Sequence, residues 1–237
     1  MLSKFLDRLL QLNRPETVEI AARPYTTNQL HPVLKPMPAE IEVHTLSGLA
    51  SYINEHPDDL PPVKELMLSV ISPVRIELLS HGVGDFDQRR RCAVATFLPD
   101  EYPFGRYMPQ EEFIIALMTR FVRSKMVEDI MAVAGNLSSD TSLAVEDDGF
   151  TQRLNVKSGV SRKSEVIIEN PVTLQPYRTF IEVDQPECQM VLRFKKDREG
   201  VPQCALFEAD GGQWKNIAAN NIATWLKEQV PSVSVLA

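Results

Sequence analysis

Two alternating runs, Gln189–Phe194 and Gln203–Ala209, flank the short polar stretch Lys195-Lys196-Asp197-Arg198-Glu199-Gly200. So brief a connection joins two strands only as an antiparallel hairpin, since a parallel return needs a crossover of a dozen residues or more. Met190, Leu192 and Phe194 would then face the same side as Cys204 and Leu206. Asp210-Gly211-Gly212 ends the hairpin, and a helical stripe follows at once: Trp214, Ile217, Ala218, Asn221, Ile222, Trp225 and Leu226, stopped by Pro231. A hairpin feeding a long amphipathic helix points to an α+β fold with a mainly antiparallel sheet packed with two or three amphipathic helices.

The preceding residues fit that class. Leu46, Leu49, Ala50 and Ile53 lie at helical spacing, with Thr45 as N-cap and His56-Pro57 as the stop. A second helix opens at Pro109, with Phe113, Ile114, Leu117, Met118, Phe121 and Val122 on one face. A third spans Lys125–Ala134 and ends at Gly135-Asn136. Extended runs are expected at Glu65–Ile71, Val74–Ser80, Cys92–Leu98 and Thr179–Val183, and as two short strands around Glu146-Asp147-Asp148-Gly149. One domain, residues 41–230, accounts for these elements.

The two ends are different. Leu2, Phe5, Leu6, Leu9 and Leu10 form one stripe of a helix over residues 1–12, too short to persist in water unless it docks. Residues 13–40 carry five prolines and are expected to be an extended N-terminal arm, so residues 1–40 form a helix on a long connector. The tail, 231–237, alternates with period two. Val233 and Val235 make it a possible added strand, on the chain's own sheet or on that of a neighbour.

The 237 residues include 25 Lys+Arg against 32 Asp+Glu, a net charge of −7, which repels a phosphate backbone unless a local basic patch overrides it. No apolar run approaches the ~20 residues of a spanning helix, and three scattered cysteines suit a reducing compartment. The chain is therefore expected to be soluble and cytoplasmic, with no membrane partner. Motifs for chemistry are sparse. There is no phosphate-binding loop, serine elbow, Cys-x-x-Cys or His-x-x-x-His pair, and no cofactor is expected. His81, with Asp85 and Asp87, is the best metal or acid–base candidate, although a polar loop explains it as well. The acidic group Asp140, Glu146, Asp147 and Asp148 lacks calcium-loop spacing. Gly211-Gly212 before a helix could offer amides to an anion, or simply make a tight turn.

Three stretches are candidates for an interface or for nucleic-acid contact. Arg89-Arg90-Arg91 is the one dense basic run. Tyr102, Arg106 and Tyr107 precede a helix, and Tyr177-Arg178 opens an extended run. Core capping accounts for the aromatic residues equally well.

Several blocks taken together resemble the YfdQ-like family of phage and prophage proteins: Val43–Leu49, Phe113–Ile115, Gly135-Asn136, Asp147–Gln152, Pro176–Pro186 and Phe207–Trp214. The likeness spans roughly residues 41–228. It implies a phage or prophage origin and action in the bacterial cytoplasm, and it brings no catalytic residue. The function expected from these features is a non-enzymatic protein that self-assembles into a homo-oligomer, a ring or closed shell, through its N-terminal arm and C-terminal tail. The alternative is a nucleic-acid-associated accessory of phage replication, recombination or counter-defence.

Overall fold

A computed structural model of the chain describes residues 5, 17–20, 23–26, 38–57, 60–82, 89–137, 151–158 and 162–237; for 151–169 it describes the backbone pairing. The chain divides into two units, Met1–Pro38 and Ala39–Ala237.

In the first unit, strands β1 (Thr17–Ile20) and β2 (Arg23–Thr26) pair antiparallel, where the prolines predict an unpaired connector. Pro24 is tolerated because a two-stranded ladder has a free side on each strand, so its missing N–H need cost no bond. Phe5 has helical backbone and an exposed ring; Leu2, Leu6, Leu9 and Leu10 lie outside the described residues.

The second unit is α+β, with four helices among the described residues and sheets that are mostly antiparallel. Its first sheet has the order β13-β4-β5-β6-β3. The strands are β3 (Ile41–Val43), β4 (Leu66–Ser72), β5 (Arg75–Ser80), β6 (Arg91–Thr96) and β13 (Ser234–Leu236). The central pairs β4–β5 and β5–β6 are antiparallel, and the two three-residue edges are parallel. Helix α1 (Leu46–Glu55) packs on it. The Thr45 hydroxyl accepts from the Gly48 N–H at 3.0 Å, and His56 closes the helix in the left-handed conformation at φ 45°.

The second sheet has the order β10-β11-β12-β7, with β7 (Met108–Pro109), β10 (Val172–Leu174), β11 (Cys188–Lys196) and β12 (Pro202–Glu208). The hairpin has the expected register, Leu192 opposite Leu206 and Phe194 opposite Cys204. Helices α2 (Gln110–Arg120) and α3 (Lys125–Gly135) cover this sheet. Separately, β8 (Thr151–Ser158) pairs antiparallel with β9 (Arg162–Glu169), Ser158 opposite Arg162. The expected turn at Glu146–Gly149 lies outside the described residues.

Two hydrophobic cores result. One joins α2, α3 and the four-stranded sheet around Phe113, Leu117, Met190 and Leu192; the other joins α1 and the five-stranded sheet around Leu46, Leu49, Leu68 and Ile76. Helix α4 (Trp214–Gln229) serves both. Its Trp214 and Ala218 enter the first core, and its Ile222 and Leu226 enter the second. The one helix thus buries apolar side chains in both cores.

Three expectations are corrected. The tail is committed within its own chain: Val233 is buried in the second core and half-buried Val235 lies in β13, paired with Leu68 of β4. Of the two alternatives for the tail this is the pairing on the chain's own sheet, and it takes buried Val233 out of any contact between copies. Tyr102 and Arg178 are buried, 3% and 4% exposed, so neither is a surface contact. Thr179–Val183 forms turns instead of a strand.

Candidate functional site

Residues 175–187 run as an irregular strap between the two cores, and its order comes from one side chain. The Gln185 Oε1 accepts the backbone N–H of Arg178 at 3.0 Å and of Thr179 at 3.2 Å. Its Nε2 donates to the carbonyls of Phe180 at 3.1 Å, Val183 at 3.3 Å and Thr179 at 3.4 Å. A buried amide thus takes up polar groups that a strand ladder would otherwise satisfy. This is why the alternation of Thr179, Ile181 and Val183 does not produce a strand.

Both cores hold the strap. Tyr177 N–H donates to the Arg120 carbonyl at 2.9 Å, and Pro176 bridges to Phe121. Phe180 and Val183 insert into the second core, the Glu182 carboxylate accepts from Ser47 N–H at 3.2 Å, and Thr179 donates its hydroxyl to the Pro73 carbonyl.

Arg178 anchors the other side. Its guanidinium carbon lies 4.1 Å from the Phe104 ring centroid and 4.6 Å from that of Trp214, and its Nη1 donates to Glu208. Nε and Nη2 are buried without a hydrogen-bond partner. Two faces of π density substitute for solvent here, each worth up to about 2 kcal/mol when desolvated. The segments Pro176–Pro186 and Phe207–Trp214 thereby meet at one point.

Beside this clamp is a cleft of about 420 Å³, lined by Thr173, Glu187, Cys188, Gln189, Asp210 and Gln213 among others. One of its carboxylates, Asp210, is already engaged. Asp210 accepts from the N–H groups of Gly212 at 3.0 Å and Trp214 at 3.2 Å, filling the helix N-terminus with the chain's own carboxylate. Gly211 and Gly212, at φ 62° and 85°, make the tight turn that permits this. Burial pushes the Cys188 thiol up to about 12 against the opposing charge of Arg178, and burial likewise takes Cys204 to about 12. Neither supplies a thiolate near neutrality.

Because both thiols are held protonated, the unfolded chain releases their protons from about pH 9. The folded state should therefore lose stability as pH rises from about 9 towards 12. At pH 8 the native protein should leave both thiols unreactive to a disulfide dye until denaturant is added. Rapid labelling of native Cys188 or Cys204 would contradict this assignment.

The basic run is divided. Arg91 makes a two-pronged pair with Glu40 and reaches Glu77 at 3.0 Å, where Arg75 also arrives at 2.9 Å. Burial works to raise the Glu77 carboxyl, but these two arginines outweigh it and hold it below its ordinary value. Arg90 is tied through its backbone to Ser80, and Arg89 is exposed. His81 is exposed; Asp85, Asp87 and the group Asp140, Glu146, Asp147 and Asp148 lie outside the described residues. Among the described residues no group of three His, Cys, Asp or Glu is placed to hold a metal ion.

What sequence reasoning missed is an apolar rim. Ile71, Leu98 and Ile181 are 54%, 80% and 69% exposed. Each adjoins a contact that brings the three segments together: Phe97 stacks on Phe180 at 5.6 Å, Phe97 N–H donates to Val74, and Thr179 reaches Pro73. Tyr177 is also exposed, and Arg120, which pairs with Asp100 at 3.0 Å, links this region to α2, where Ile115 and Met118 face outward. In sequence, Ile71, Leu98 and Ile181 belong to extended runs that read as core, whereas Tyr177 was already a contact candidate.

No protein-family model, curated protein or solved structure matches the chain. No helix among the described residues is long and apolar enough to cross a membrane.

Proposed function

We propose that the chain is a non-enzymatic protein that assembles with copies of itself, and that the YfdQ-like resemblance gives its setting, a phage or prophage product acting in the bacterial cytoplasm. The observation that carries the assembly reading is the rim of Ile71, Leu98 and Ile181. Three aliphatic side chains, each more than half exposed, on segments that the Phe97–Phe180 and Thr179–Pro73 contacts hold together, supply the apolar material of a protein contact. Outward-facing Ile115 and Met118 on α2 offer a second apolar surface. Two unlike surfaces on one chain favour head-to-tail contacts that close as a ring or shell. The N-terminal stripe of Leu2, Phe5, Leu6, Leu9 and Leu10 adds a third apolar element, and the protonated thiols argue against nucleophilic chemistry.

Light scattering behind size exclusion tests this reading. The wild-type chain should run as a multiple of its monomer mass at micromolar concentration, and Leu98→Asp with Ile181→Asp should reduce it to monomer while leaving its circular dichroism intact. Deleting residues 1–40 should weaken the assembly further. A wild-type monomer, or an assembly indifferent to both aspartates, would refute it.

A further inference from the structure

Of Tyr102, Arg106 and Tyr107 only Arg106 is exposed, since Tyr102 is buried and the Lys195 ammonium caps the Tyr107 ring at 3.8 Å. The outer side of α2 is open. Ile114, Ile115 and Met118 make a ridge there, with Ile115 54% and Met118 67% exposed. Beside it α3 ends on Gly135, where an added Cβ would lie 3.9 Å from the Ile114 Cδ1. The missing side chain leaves a groove of about 420 Å³ lined by Gln110, Glu111, Ile114, Ile115 and Gly135. Its rim is negative. Glu111 and Glu112 are exposed in the first turn of α2, and α3 brings its carbonyl end to the same place with no basic residue in its last turn.

We infer that this groove receives the N-terminal helix of a neighbouring copy, an inference that rests on the assembly reading above and names the occupant of its second surface. Leu2, Phe5, Leu6 and Leu9 fall at i, i+3, i+4 and i+7, the anchor spacing of a helix laid into an apolar groove. Phe5 has helical backbone and a ring 63% exposed, so the stripe is uncovered at the position described. The charges match as well. In a chain of net charge −7, residues 1–14 carry Lys4, Arg8 and Arg14 against the single acid Asp7. Lys4 and Arg8 lie one turn apart and meet the rim of Glu111 and Glu112. Residues 27–40 let the chain span at most about 50 Å between β2 and β3, enough to cross to an adjacent copy. Each copy thus gives a helix to one neighbour and takes one from another.

Cross-linking of the full chain with a short bismaleimide provides the test, because Cys92, Cys188 and Cys204 are buried and leave introduced thiols as the reactive ones. Two preparations are mixed, one carrying Ser3→Cys and the other, tagged to change its mass, carrying Met118→Cys. The mixed dimer should form, and Ser3→Cys mixed with Glu228→Cys, an exposed position on α4, should give at least about tenfold less of it. Gly135→Phe, which plugs the groove from an exposed position, should also lower the yield about tenfold. Lys4→Glu with Arg8→Glu should lower it about threefold at low salt, a difference lost in molar salt. A wild-type chain that is monomeric in light scattering would overturn this inference together with the assembly reading. With the wild type assembled, an absent mixed dimer, a yield indifferent to Gly135→Phe, or cross-linking confined within single chains that carry both cysteines would overturn the groove assignment alone.

Discussion

Gln185→Leu should lower the stability of the folded chain by about 3–5 kcal/mol, because it strands more buried polar groups than any other single change on the strap. Leucine fills nearly the same volume, so the effect is electrostatic. The N–H groups of Arg178 and Thr179 lose their acceptor, the Val183 carbonyl loses its donor, and the Phe180 carbonyl keeps only the Val183 N–H at 3.4 Å. Each such orphan costs roughly 1–3 kcal/mol, and only part of that is relieved by local movement. For a domain of this size, each kcal/mol corresponds to about 2–4 °C in Tm, so a fall of about 10 °C is expected in calorimetry. A Tm within about 2 °C of the wild type would mean that the amide does not order the strap.

Arg178→Ala is the second large effect, expected to cost about 3–4 kcal/mol in urea unfolding. The guanidinium fills the slot between Phe104 and Trp214, so truncation leaves a cavity between rings and removes both cation–π contacts. Little of the cost comes from Glu208, whose side chain is 44% exposed and returns to water when its partner is removed. Arg178 also buries Nε and Nη2 without partners, a standing penalty. Arg178→Met should therefore recover most of the loss, since it fills the slot without that penalty. Methionine proving as damaging as alanine would show that charge, not packing, holds the clamp.

Local signals gave the elements their places. Thr45 and His56 bound α1, Ser124 accepts from Val127 N–H to start α3, and the spacing from Trp214 to Leu226 fixes α4. The β11–β12 register follows from alternation and the short connection. Long-range facts were not legible. One stripe on α4 looks continuous in sequence, yet Ala218 and Ile222 belong to different cores. Alternation from Thr179 to Val183 cannot reveal that Gln185 takes up the backbone bonds first. Leu98 and Ile181 read as core because an apolar residue in an extended run carries no mark of which side it will face. Tyr102 and Arg178, readable as contact or core, were decided by what packs over them.

The parallel edge β13 has a consequence for how the chain is made. Ser234 sits opposite Met67, and between them come α2, α3, the whole four-stranded sheet and α4. During synthesis β4, β5 and β6 can zip together early, but one flank of β4 stays bare until β13 follows α4 out of the ribosome. From the emergence of β4 to that of β13 the newborn sheet thus carries an open seam, sealed only by the residues that arrive last of those that join it.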